Sequence, residues 1–169
     1  MCGRFTLATP EQDIAQQFSL TDVPHLAPRY NIAPTQPVAA VRLKREGGGR
    51  ELVMLHWGLI PFWADDPKIG NRMINARAET VEEKPSFRNA FRRRRCLVLA
   101  DGFYEWKKQN GWKQPYYVRM EDGRPFAFAG LWEFWKDDET ETAIESCTLL
   151  TTQPNGVVRP IHARMPVIL

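Results

Sequence analysis

Hydrophobic residues along this chain fall in short runs separated by turn-forming residues, a spacing that predicts strands more often than helices. Thr9-Pro10-Glu11-Gln12 carries a helix-start signal, with Thr9 as cap and Pro10 in the first turn, and the helix runs to about Phe18. The stretch 22–37 holds four of the thirteen prolines and predicts an ordered loop without regular structure. Residues 37–44 and 51–59 read as two strands about Glu46-Gly47-Gly48-Gly49, a hairpin candidate. Residues 86–95 predict a short helix with Phe87 and Phe91 on one face, and 96–100 a buried strand ending at an Asp101-Gly102 turn. Strands follow over 103–108, 115–120 and 125–131, joined at Asn110-Gly111 and Asp122-Gly123, and another over 146–152. The fold class expected is α+β. It is one domain over 1–169, mostly antiparallel sheet, barrel-like or as two packed sheets, with a few peripheral helices. The closing run Val167-Ile168-Leu169 is apolar and strand-like, which predicts a domain cut short at its C-terminal end.

Composition narrows the class without naming a function. A chain of 169 residues, 43 % hydrophobic and with six Trp, can bury a core of its own. It contains no apolar run of the ~20 residues a membrane span needs, and its amino terminus has no signal-peptide pattern. The odd cysteine count (Cys2, Cys96, Cys147) and three scattered histidines give no metal signature and predict free thiols in a reducing compartment, hence a cytoplasmic protein. A net charge of +3 permits a polyanionic partner without requiring one.

Chemistry enters at Cys2. Once Met1 is removed, the chain begins with a 1,2-aminothiol, whose α-amine titrates at about 7.7–8.0, so that about a tenth of it is neutral at pH 7. Such a group condenses with an aldehyde to an imine and closes to a thiazolidine through the thiol, or attacks an amide. In Asn75-Ala76-Arg77-Ala78-Glu79, period-2 alternation puts Asn75, Arg77 and Glu79 on one side. That side is either a surface strand with an Arg–Glu pair or a polar wall in which Asn75 orients a reactant and Arg77 holds an anion. Glu105, within Asp101-Gly102-Phe103-Tyr104-Glu105-Trp106, lies between aromatics on a strand, where a partly desolvated carboxylate can move protons. His162 and Arg164 are two apart in Pro160-Ile161-His162-Ala163-Arg164-Met165-Pro166 and face the same way if extended; histidine is the default acid/base near neutral pH. Arg88 and the run Arg92-Arg93-Arg94-Arg95 read as a solvated helix face. In Trp57-Gly58-Leu59-Ile60-Pro61-Phe62-Trp63, aromatics beside cations suit stacking of unpaired bases, with core packing the competing role for Trp57 and Phe62.

Taken in order, Met1-Cys2-Gly3-Arg4-Phe5, Arg29-Tyr30-Asn31-Ile32-Ala33-Pro34, Trp57-Gly58-Leu59-Ile60-Pro61, Asn75-Ala76-Arg77-Ala78-Glu79, Asp101-Gly102-Phe103-Tyr104-Glu105-Trp106 and Ile161-His162-Ala163-Arg164-Met165-Pro166 closely resemble the SRAP (SOS response-associated peptidase) family of abasic-site processing proteins. The resemblance implies a protein that binds single-stranded DNA at an abasic site and cross-links to the ring-opened deoxyribose aldehyde. Carried over by position, Cys2 is the nucleophile and Asn75 positions the cysteine or the sugar. Glu105 assists ring opening and imine formation, and His162 is the acid/base for the sugar hydroxyl and for reversal. Arg4, Arg77 and Arg164 fall where the family holds phosphates, and Trp63 where a residue stacks beside the gap. No cofactor, metal or membrane partner is implied. The expected protein is a monomer associated with the nucleoid when bound to DNA, and replication-associated partners are compatible with it. An amino-terminal-nucleophile peptidase, acting only on itself or more widely, and a passive single-strand binder are the alternative readings. Ala163 stands where the family usually has an acidic residue, and the resemblance implies that its absence either leaves His162 less firmly oriented or disfavours its charged form.

Overall fold

A computed structural model describes residues 2–44, 47–137 and 139–169. Met1, whose removal the chemistry above requires, and Glu46 of the expected hairpin turn lie outside the described residues. In chain order the elements are β1 (Phe5–Leu7), α1 (Glu11–Phe18), β2 (Arg29–Ile32), β3 (Pro37–Leu43) and β4 (Arg50–Trp57), then a 3₁₀ turn (Pro67–Arg72). β5 (Asn75–Arg77), α2 (Arg88–Arg93), β6 (Arg95–Ala100), β7 (Gly102–Gln109), β8 (Trp112–Val118), β9 (Phe126–Lys136), β10 (Ala143–Thr152) and β11 (Met165–Pro166) complete the chain. As expected, the fold is α+β, one domain, mostly antiparallel.

Two sheets carry it. The smaller has the order β2-β1-β7-β8. In the larger, β4, β3, β6 and β9 follow one another antiparallel, and β10 closes the ring by pairing antiparallel with β9 and parallel with β4. Closure removes the free edges that an open sheet of this size would expose. β5 runs parallel to β10 beyond the end of β4. Past β11, the last residues return to β9: Ile168 bridges Phe128, and Leu169 N–H donates to the Ala127 carbonyl at 2.9 Å.

The small sheet is fastened to the barrel by aromatic side chains. Phe5 and Phe103, cross-strand partners on β1 and β7, are both buried. Phe5 meets Trp57 and Phe128 edge-on at 5.0 and 5.5 Å, and Phe103 meets Phe128 at 6.0 Å. Burying a phenylalanine contributes about 1.5–3 kcal/mol. The anchor at Phe5 is what carries the start of the chain, Cys2 included, into the interior.

Three local expectations change. Thr9 does not cap α1: Pro10 is the capping position, without a side-chain bond, while the Thr9 hydroxyl and the N–H groups of Ala8 and Thr9 all donate to the Asp101 carboxylate. A charged acceptor across the chain outcompetes the local cap. Part of the proline-rich 22–37 stretch becomes β2, because β1 supplies a partner that no local signal announces. Phe62 is 53 % exposed whereas Trp57 is wholly buried, its indole N–H donating to the Ile74 carbonyl at 2.9 Å.

The turn after Trp57 is a tight spot. Gly58 has φ +141°, and a Cβ placed there would stand 2.6 Å from the Gly70 carbonyl oxygen. That oxygen belongs to backbone and cannot swing away. Gly58→Ala is therefore expected to destabilise the protein by about 2–4 kcal/mol, combining backbone strain with overpacking. Thermal or urea unfolding beside wild type checks it; an unchanged midpoint would show that the 3₁₀ turn can move aside.

Candidate functional site

Cys2 is fully buried, and its thiol donates to the Arg4 carbonyl at 4.0 Å. Burial first, and the negative charge of Glu105 second, push the thiol far above the ordinary cysteine value. At neutral pH it is a protonated thiol, so a deprotonated α-amine is the stronger nucleophile of the pair. Cys96 and Cys147 are also buried free thiols, Cys96 pushed up to about 12 by burial.

Asn75 opens β5, which is set against β10 by the pairing of Leu149 with Asn75. The residue before it is tied twice: the Ile74 carbonyl accepts from Trp57 and from Leu149 N–H at 3.1 Å. So placed, the Asn75 amide donates to the Cys2 carbonyl at 2.9 Å. Its Oδ1 is buried and has no hydrogen-bond partner among the described residues, an acceptor poised for an added donor. Glu105 reaches the same place from β7 and is 2 % exposed.

His162 comes from the turn after β10, in which Ile161 and His162 both donate to the Val158 carbonyl. Its Nδ1 accepts from Arg164 N–H at 3.1 Å, and the Arg164 carbonyl is 3.0 Å away. The backbone of one residue thus offers a donor to the neutral ring and an acceptor to the protonated one. Ala163 is exposed between them. Arg164 itself is committed: its fork is bidentate to Glu79 at 2.8 and 2.9 Å and reaches the Thr151 carbonyl at 2.7 Å. These bonds hold the Glu79 carboxyl down at about 2. The Arg–Glu pair of this wall therefore joins Glu79 to Arg164, and exposed Arg77 adds a smaller Coulombic pull on the same carboxylate.

Gly3 and Arg4, which follow Cys2, line a cavity of about 730 Å³ together with Glu105, Trp106 and His162. Arg4 is steered by Asn31, whose Oδ1 accepts from it at 2.9 Å. Asn75 is thus bonded to Cys2, Glu105 acts on the Cys2 thiol by its charge, and Arg4, Glu105 and His162 share the lining of the cavity that begins at Gly3. Trp63, 48 % exposed, belongs to a different concavity with Lys68 and Arg72. Thr151, Asn31 and the Glu79–Arg164 link support the site through contacts that the sequence pattern does not reveal. The last spans 85 positions, and no local pattern announces it. Among the described residues no group of three or more His, Cys, Asp or Glu could hold a metal ion, and no helix is long and apolar enough to cross a membrane.

The sequence matches the SOS response associated peptidase (SRAP) family over residues 1–169. It is 46 % identical over 173 residues to the abasic site processing protein YoqW of Bacillus subtilis, covering 100 % of this chain and 76 % of that one. Identity is 32 % over 178 residues to abasic site processing protein YedK of Escherichia coli, covering 100 % and 75 %. It is 34 % over 170 residues to abasic site processing protein HMCES of Xenopus tropicalis, covering 84 % and 50 %. A crystal structure of a protein from Bacteroides thetaiotaomicron superposes with a TM-score of 0.89 at 29 % identity, over 99 % of this chain and 77 % of that one.

Proposed function

Because the chain belongs to the SRAP family, we propose that it captures abasic sites in single-stranded DNA by a covalent bond through Cys2. The observation that carries this reading is the buried Cys2 held by Asn75 at its carbonyl, beside Glu105, beneath a cavity that His162 also lines. The names of the relatives, abasic site processing proteins, point to the same lesion.

In the sequence of steps proposed, the sugar opens to its aldehyde with Glu105 and His162 exchanging protons with the ring oxygen and hydroxyl. The neutral α-amine adds to the aldehyde carbon, and the resulting carbinolamine loses its oxygen as water after protonation by Glu105 or His162. The thiol then adds to the imine carbon while its proton passes to the imine nitrogen, closing the thiazolidine. No oxidant or reductant is consumed. The high thiol value suits this order: the amine reacts first, and the sulfur enters as a neutral S–H whose proton is needed at nitrogen. Asn75 Oδ1 receives a hydrogen bond from the α-amine or the opened sugar.

Recognition of a baseless nucleotide relies on phosphate and stacking contacts. Arg4 and Arg77 serve as phosphate contacts and Trp63 as a stacking surface. Arg164, with its fork on Glu79, acts by positioning the His162 turn and adds its charge at longer range. No cofactor or metal takes part.

The test is a denaturing gel of purified protein mixed with a single-stranded oligonucleotide carrying one abasic site, the amino terminus confirmed as Cys2 by intact mass. A heat-resistant shifted band is expected. No band from protein confirmed to start at Cys2 overturns the proposal.

A further inference from the structure

Asn-Gly occurs twice in the chain, at Asn110-Gly111 and Asn155-Gly156. An asparagine before glycine is prone to lose its side-chain amide, because the backbone nitrogen of a residue without a Cβ reaches the asparagine Cγ unhindered. Sequence treats the two dipeptides alike, and all four residues are exposed. Their surroundings differ.

Asn110 and Gly111 are the turn between β7 and β8, with φ of +45° and +87°, the left-handed pair that a two-residue hairpin turn requires. Among the described residues the Asn110 side chain makes no hydrogen bond. A Cβ on Gly111 would meet nothing within 4 Å, so no neighbour obstructs a ring forming there. The turn is held by the Gln109–Trp112 pair, and behind it Lys108 lies directly opposite Lys113. Like charges so placed weaken a strand pair, and the tip opens at small cost.

Asn155 is tied at four points. Its Oδ1 accepts from the N–H groups of Val157 and Val158 at 3.1 and 3.0 Å. Its own N–H donates to Met165 Sδ at 3.1 Å, and its carbonyl accepts from Arg159 N–H at 2.9 Å. Val158, 1 % exposed, roots this turn in the core. Closing a ring onto the next nitrogen sets both the backbone and the side-chain torsion of the asparagine. These bonds must therefore be given up before Gly156 can attack, which takes a larger opening than fraying of a hairpin tip.

We propose that Asn110 is a site of spontaneous deamidation in the folded protein, and that Asn155 is protected from it. The Gly111 nitrogen, giving its proton to solvent, bonds to Asn110 Cγ. The bond from Cγ to the side-chain nitrogen breaks, and ammonia leaves behind a succinimide. Water then opens the ring. Cleavage at Cγ gives aspartate, and cleavage at the main-chain carbonyl gives isoaspartate. No oxidant or reductant is involved. Either product sets a new carboxylate at the end of a hairpin whose Lys107, Lys108 and Lys113 line the 730 Å³ cavity. Isoaspartate also threads the main chain through an extra carbon, which a two-residue turn does not accommodate without disturbing register. The chemistry is independent of the covalent function proposed above.

The experiment incubates the folded protein at mildly alkaline pH, with a second sample unfolded in urea. Both are digested at intervals, and the peptides holding Asn110 and Asn155 are compared by mass, isoaspartate being identified by enzymatic methylation of its carboxylate. In the folded sample, early modification at Asn110 is expected to exceed that at Asn155 about tenfold, the factor given by about 1.4 kcal/mol of extra opening cost. In urea the two are expected to react at similar rates, because only the shared dipeptide then matters. Equal modification of both in the folded protein overturns the proposal. So does an unmodified Asn110 in the folded sample when the urea sample reacts at both positions. A preference for Asn110 that persists unchanged in urea would also overturn it, since the contacts at Asn155 would then have no part.

Discussion

Cys2→Ala protein is expected to lose the heat-resistant adduct entirely and to nick the DNA instead. An amino-terminal alanine keeps the α-amine, so the imine still forms at the opened sugar. Without a thiol there is nothing to close the ring, and the imine withdraws electrons from the sugar, which favours elimination of the 3′ phosphate. The gel should show no shifted band after heating, a band restored by borohydride added before heating, and a shortened oligonucleotide. The buried thiol, protonated at neutral pH, is thereby assigned to the second step alone. A heat-stable adduct from Cys2→Ala would sink that assignment.

Glu105→Gln is expected to slow adduct formation by about 10²–10⁴-fold, the usual span for removing a general acid/base. Glutamine has nearly the same shape, and the carboxylate it replaces is 2 % exposed, so packing changes little. A second readout separates chemistry from structure. Glu105 is the second cause, after burial, of the raised Cys2 thiol, and its loss should lower that value. The pH profile of Cys2 alkylation should then move to lower pH while cross-linking slows. Both rates falling together, with a lowered melting temperature, would mark Glu105 as a structural residue only.

Much of the secondary structure follows from local pattern. Ile14 and Phe18 sit four apart and are the buried residues of α1, and β3 and β6 were evident as compact apolar runs bounded by turn residues. Boundaries were less legible. β9 runs on to Lys136 and β10 starts at Ala143 because these two strands support each other over seven register pairs, and β2 exists only because β1 lies beside it. The pairing of Thr9 with Asp101 instead of with its own helix is another case in which a distant charge overrides a local signal.

The candidate residues themselves, Cys2, Asn75, Glu105 and His162, could be named from motifs, because each motif keeps its unusual polar residue in an apolar setting. What they do to one another could not. That Asn75 holds the Cys2 carbonyl, that Glu105 raises the Cys2 thiol, and that Arg164 spends its fork on Glu79 are contacts between residues far apart in the chain. Alternation and spacing determine which side chains share a strand face, since that depends only on backbone geometry over a few residues. Barrel closure by a parallel β4–β10 contact, the burial of Cys2, and the Glu79–Arg164 link depend on which segments meet. That is settled by the packing of the whole chain, where burial and long-range charge outweigh local preference.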